Sequence, residues 1–382
     1  MLEARHPSLL APLQGSLRAT SLLDPLNLQL PPLQRVWSKR IVGHQVRTCQ
    51  PYLDVPAIAV GTATGEVLWC TLSPDASIQT ETIMTHAGRV WSSAGSSSLL
   101  ATCGGRSMAV TRIPSRELLR DVVCASEPLD VALSADCSSV LCGTADGSIV
   151  LANLNTDSLT QPPQVFRFSD AACTSVTMSV STTTVFAGFR DGSVRVIDVA
   201  TSIVTRTLLP PIAAQVSSVS LSPSSMLLLV AYKNNTLRVW NVVTGKLESR
   251  RYGGYINQAR SFVRATFGAT DHHVLSGSED GHLCFWHREA SRISLDDVAT
   301  PQTTNAYHMD VKPVGLQMPN DRLQCHMSMI VDIKFTNRVL MTCSEDGEVV
   351  ILASTAESSS TNESLQEHGE EILDPFGTAL EM

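Results

Sequence analysis

The sequence predicts an all-β chain: seven successive four-stranded antiparallel sheets arranged in one closed ring. Three observations carry this expectation. A ten-residue block of small residue, tight turn and alternating apolar residues occurs seven times. The block starts are separated by 42, 40, 45, 43, 46 and 66 residues. Helical apolar periodicity is nearly absent between them, and a four-stranded unit returning every 40–45 or so residues is the pattern of a β-propeller blade.

The blocks are Gly61–Cys70, Cys103–Arg112, Gly143–Ala152, Gly188–Ile197, Ala231–Trp240, Gly277–Trp286 and Cys343–Leu352. In each, a small residue ends one strand and a turn such as Asp-Gly, Thr-Gly or Asn-Asn suits positive φ. Alternating apolar residues then begin the next strand. Upstream lies another alternating run, as in Val131–Leu133, Val176–Val180, Val219–Leu221, Val263–Phe267 and Val331–Phe335. Downstream lies a weaker one, such as Ile203–Leu208. Together these give four strands per repeat. Seven repeats form one ring over 33–353, overriding the two or three domains that a length of 382 residues suggests. The 66-residue interval places an insertion at about 299–325, less polar than a plain linker, with Tyr307 and Met309 as candidate partner contacts.

The ends differ from the ring. Residues 1–32 are Leu- and Pro-rich and read as an irregular extension. Basic residues 28 and acidic residues 36 give a net charge of −8. After Arg338 there is no Lys or Arg and there are ten carboxylates, so residues 1–338 carry −8 + 10 = +2. The tail over 354–382 has too little apolar surface to offset its ordering entropy and is expected to be disordered. A near-neutral ring offers no basic stripe for phosphates, which argues against nucleic acid as a partner. No apolar run approaches the roughly 18 residues of a membrane span. Ten scattered cysteines with no C-x-x-C spacing read as free thiols of a reducing compartment, the cytoplasm or nucleus. Arg5, His6 and Arg18 against Glu3 leave a mitochondrial presequence as the less favoured address.

The blocks resemble WD-repeat proteins. His44, His86 and His326 each stand 17 residues before a block start, and Gly43-His44 keeps a Gly-His pair. Turn aspartates occur at Asp146, Asp191, Asp280 and Asp346, and tryptophans close two blocks at Trp240 and Trp286. The resemblance implies part of a His–Ser/Thr–Asp–Trp hydrogen-bond network at His326, Thr342 and Asp346, and at Ser276, Asp280 and Trp286 without its His. It also implies that the segment Val36–Ile41 supplies the missing outer strand of the last blade, closing an edge that invites aggregation. The sixth repeat is similar to a blade of the WD-repeat subunit of the GID/CTLH ubiquitin ligase.

Motifs of chemistry are absent: there is no G-x-x-x-x-G-K-[ST], H-E-x-x-H or G-x-S-x-G. Cys284 and His287 fall on opposite faces of one strand, which opposes shared metal ligation, and no cofactor is implied. Aspartates repeated at one turn position read as turn hydrogen-bond acceptors rather than an acid–base pair. Function therefore falls to the surface: a non-catalytic scaffold or adaptor that binds other proteins or peptides within an intracellular complex. Block-turn charges are the candidate contacts, with Arg190 and Lys233 on one part of the rim and Glu279, Asp280 and Glu345 on another. Two alternatives remain open, a substrate-receptor subunit of a ubiquitin ligase and a propeller enzyme with a channel site.

Overall fold

The computed structural model describes residues 33–52, 54–72, 77–155, 159–259, 262–288, 316–336 and 339–354. The N-terminal extension, residues 289–315 and the tail from 355 lie outside the described residues, and Tyr307 and Met309 with them. Among the described residues there are 29 strands, β1–β29 in chain order, and no helix.

These strands form seven sheets. Each begins at an inner strand: β2 (Val46–Tyr52), β6 (Val90–Gly95), β10 (Pro128–Leu133), β14 (Cys173–Met178), β18 (Val216–Leu221), β22 (Ala265–Phe267) and β27 (Ile330–Thr336). We number the blades one to seven in that order. Each inner strand packs on the inner strands of both neighbouring blades, and β27 returns to β2, so the ring is closed.

Burial follows position within the blade. The second strand of blade five, β19 (Leu227–Tyr232), is buried throughout because its two faces meet two neighbouring blades. That environment explains its unbroken apolar run, Leu-Leu-Leu-Val-Ala-Tyr. The outer strand of blade four, β17 (Ile203–Leu208), is mostly exposed and correspondingly polar. The expected run Ile203–Leu208 coincides with it.

Blade seven is completed by the start of the ring. The N-terminal strand β1 (Leu33–Arg40) pairs antiparallel with β29 (Glu348–Ser354), from Leu33 opposite Ser354 to Arg40 opposite Glu348. The edge that the last repeat leaves open is thereby paired.

The hairpin turns are built as their residues require. Gly65, Gly147, Gly192, Gly281 and Gly347 have φ between +80° and +101°, and Asn235 of the Asn-Asn turn has φ 61°. Each turn packs against the lead-in loop of the next blade: the His86 N–H donates to the Gly65 carbonyl at 2.8 Å, for example. Turns and lead-in loops thus share one face of the disc, here termed the turn face.

The insertion corrects the sequence reading. Its C-terminal part is sheet, not loop. Leu316–Gln317 forms β25, a parallel fifth strand on β21 (Leu247–Tyr252) of blade five. Asp321–Gln324 forms β26, the outer strand of blade six, paired with β24 (His282–His287). The missing outer strand of that blade therefore lies beyond the extra residues, where spacing alone does not look for it. All ten cysteines are free, nine of them buried.

Candidate functional site

Six inner strands carry a register irregularity near their start, between Val46 and Thr48, Val90 and Ser92, Pro128 and Asp130, Cys173 and Ser175, Val216 and Ser218, and Ile330 and Asp332. A bulge of this kind re-aims the next side chain. In blade six Arg264 holds the equivalent place, its carbonyl accepting from the Gly277 N–H at 3.2 Å. The seven equivalent residues are Thr48, Ser92, Asp130, Ser175, Ser218, Arg264 and Asp332.

Several of these side chains join one blade to the next. Asp130 accepts from the Ser175 hydroxyl at 2.7 Å and the Val176 N–H at 2.9 Å. Ser175 accepts from the Val219 N–H at 3.0 Å, and Ser218 from the Ala265 N–H at 3.1 Å. Asp332 accepts from the Thr48 hydroxyl at 2.6 Å and the Cys49 N–H at 3.2 Å.

Arg264 reaches across the ring. Its Nη1 stands 2.9 Å from Asp130 Oδ1 of blade three, and its Nε 3.7 Å from Asp332 Oδ1 of blade seven. Burial opposes the guanidinium charge, but the two carboxylates outweigh it and the Arg264 pKa is raised. Lys334 adds a second cation, with Nζ 3.7 Å from Asp332 Oδ2 and donating to the Ser93 carbonyl at 2.8 Å. The inner belt is therefore charge-balanced and hydrogen-bonded, two aspartates against Arg264 and Lys334. Such a belt joins blades; it presents no lone carboxylate for acid–base work.

Above it, on the turn face, two half-buried aromatic rings meet from opposite sides of the ring. Trp91 of blade two and Phe262 of the lead-in loop to blade six have centroids 6.1 Å apart. The Arg89 guanidinium lies 5.0 Å from the Trp91 ring centroid, and Lys233 Nζ 5.4 Å from that of Phe262. The Trp91 Nε1–H donates to Glu127 at 2.8 Å. On the same face the lead-in loops expose Val42, Leu209, Ile212, Ile256 and Met327, and Val123 at the end of the preceding outer strand is exposed as well.

The expected rim charges are mostly engaged within the chain. Lys233 donates to the Ala259 carbonyl at 2.6 Å, and burial, partly offset by Glu279, lowers its pKa to about 8. Glu279 accepts from the Gln258 and Ala259 N–H groups, so Lys233 and Glu279 clasp the same lead-in loop. Asp280 pairs with Arg322 at 2.6 Å, and Glu345 with Arg47 at 3.0 Å. Arg190 is exposed, with no ion pair among the described residues.

The expected structural residues separate into distinct arrangements. His326 Nε2 meets the Thr342 hydroxyl at 2.8 Å, while Nδ1 stands 3.3 Å from Glu348. Asp346 instead accepts from Ser344 and pairs with Arg40 at 2.7 Å. Burial lowers the His326 pKa to about 4. His86 repeats the arrangement, 2.9 Å from both Thr102 and Ser107, whereas His44 finds Val60 at the matching place and meets Glu66 at 3.2 Å.

In blade six the three expected partners go separate ways. Ser276 donates to the Gly277 carbonyl at 2.8 Å, Asp280 turns to Arg322, and Trp286 donates to the Gly253 carbonyl at 3.2 Å. Trp286 is fully buried, edge-on to Tyr252 and Tyr255. Asn257 serves the missing histidine's loop, donating to Ser217 at 2.8 Å and to the Tyr232 carbonyl at 3.2 Å. Asp146 accepts from Thr144 at 2.6 Å and Asp191 from Ser193 at 2.6 Å, both within their own turns. Trp240 packs with Phe186, Leu228 and Tyr232 in one apolar cluster.

Sequence reasoning missed the inner belt and the contact between Trp91 and Phe262. A signal was present: the belt residues stand 11 or 13 residues before each block start. Trp91 likewise lies in an upstream run, away from the block-ending position of Trp240 and Trp286. Among the described residues no group of three or more His, Cys, Asp or Glu is placed to hold a metal.

Comparison with known proteins agrees with this architecture. The family "WD domain, G-beta repeat" matches residues 206–241, from the last strand of blade four through the third strand of blade five. A WD repeat-containing protein 26 homolog of Arabidopsis thaliana is 30% identical over 82 residues. That match spans 21% of this chain and only 14% of the relative's length. The chain is thus a seven-bladed β-propeller in which residues 206–241 match the WD domain, G-beta repeat.

Proposed function

We propose that this propeller is a non-catalytic interaction scaffold of an intracellular multiprotein complex, binding segments of other protein chains on its turn face. One observation carries the reading: apolar side chains on four lead-in loops are exposed on the face where Trp91 and Phe262 meet. Exposed apolar groups cost free energy in water, and a partner chain that covers those of the lead-in loops removes that cost. The partner segment presents apolar side chains together with an acidic group, because Arg89 and Arg190 are exposed and form no ion pair among the described residues. A rigid ring of this kind positions several partners at once.

The test is affinity purification with mass spectrometry on the full chain. The triple variant I212E/I256E/M327E is expected to lose partners while its thermal midpoint stays unchanged. Retention of every partner by a folded variant sinks the reading. The sixth-repeat resemblance favours one narrower version, a substrate-receptor subunit of a ubiquitin ligase, which a co-purifying ligase module distinguishes.

A further inference from the structure

We propose that Cys124 and Cys142 form a reversible disulfide that links blade two to blade three beneath the turn face. Their sulfur atoms are already 3.7 Å apart, and both residues are buried. Cys124 lies in the lead-in loop just after β9 (Leu118–Val123), whereas Cys142 lies within β11 (Ser139–Thr144) of blade three. A disulfide places the sulfurs about 2.05 Å apart, so closure asks for a movement of under about 2 Å. The loop residue supplies it, because Cys124 belongs to no strand. Its N–H is held by the Arg106 carbonyl at 2.8 Å, which leaves the side chain as the moving part.

The two thiols are unequal. The two sulfur atoms are in hydrogen-bonding contact, and that contact lowers the Cys124 pKa and raises that of Cys142. Cys124 is thus the nucleophile and Cys142 the resolving thiol. Access is short as well, since the immediate neighbours Val123 and Ala125 are exposed.

With hydrogen peroxide as oxidant, the Cys124 thiolate attacks one oxygen and the O–O bond breaks. Hydroxide leaves, takes a proton and becomes water, and Cys124 becomes a sulfenic acid. The Cys142 sulfur then attacks the Cys124 sulfur, the S–O bond breaks and a second water departs. Two thiols lose two electrons in total, and one peroxide becomes two waters. A dithiol reductant reverses the bond.

The loop that would be tied also carries Glu127, the acceptor of the Trp91 Nε1–H at 2.8 Å. The bond stands independently of the scaffold reading; only its influence on docking at Trp91 rests on that reading.

The test treats the folded full chain with a small excess of hydrogen peroxide, blocks remaining thiols by alkylation, and maps peptides by mass spectrometry without reduction. The expected result is one linked Cys124–Cys142 peptide that dithiothreitol abolishes. Cys142→Ser is expected to leave Cys124 as a sulfenic acid trapped by dimedone, and Cys124→Ser to leave Cys142 as a free thiol. Recovery of both residues as free thiols overturns the proposal. So does a link that forms only in guanidinium, or preferential linkage of the other thiol pair in contact, Cys49 with Cys343. The wild-type map decides the matter even if a serine variant does not fold.

Discussion

Arg264 Nη1 lies 2.9 Å from Asp130 Oδ1, so a blade-six arginine and a blade-three aspartate meet across the ring. The contact is buried on both sides. Removing one member leaves an uncompensated charge, whose cost exceeds the worth of the pair itself. Arg264→Met is expected to lower stability by about 3–5 kcal/mol in urea unfolding. Adding Asp130→Asn to that variant is expected to recover part of the loss, since it removes one of the stranded charges.

His326 makes stability fall in mild acid. Burial holds its folded pKa near about 4, and His273 is lowered to about 4 by burial and then by His287 and His272. Unfolded histidine binds its proton near pH 6.5. Between those values the unfolded chain holds more protons than the folded one, so stability is full above about pH 6.5 and declines as pH falls toward 4. Each such group contributes at most about 1.4 kcal/mol per pH unit in that window. Thermal midpoints measured from pH 7.5 to 5 are expected to drop, with a shallower slope in His326→Asn. An unchanged slope would show that His326 titrates normally.

Gly281 has no room for a side chain. Its φ is +80°, and a Cβ there would lie 2.1 Å from the His326 carbonyl oxygen. Gly281→Ala is expected to cost about 1–3 kcal/mol through backbone strain, with additional loss from displacing the His326 loop. Urea unfolding measures the loss, and amide exchange over residues 325–330 locates it.

Strand β1 protects an edge. Without residues 33–40, β29 would present an unpaired ladder of N–H and C=O groups. A chain lacking residues 1–40 is expected to self-associate at concentrations where the full chain does not. Analytical ultracentrifugation checks it, and a monodisperse truncated monomer would refute the edge argument.

The ring is specified by local signals. Block spacing, turn residues such as Asp-Gly and Asn-Asn, and strand alternation are local properties, each set by the φ that a turn permits or the faces that a strand buries. The closing strand was legible too, since the last block lacked an outer strand and Val36–Ile41 was unassigned.

Tertiary structure alone decided the rest, because it brings together residues far apart in the chain. Asp130 and Arg264 are 134 positions apart and Trp91 and Phe262 are 171 apart, and no local pattern pairs them. The blade-six outer strand was hidden for the same reason: a strand is identified by its partner, and β26 finds β24 across an insertion. The rim charges show the limit most plainly. Lys233 and Glu279 read as opposite poles of a surface, yet folding brings both against one lead-in loop, where hydrogen bonds to its backbone outweigh exposure to water.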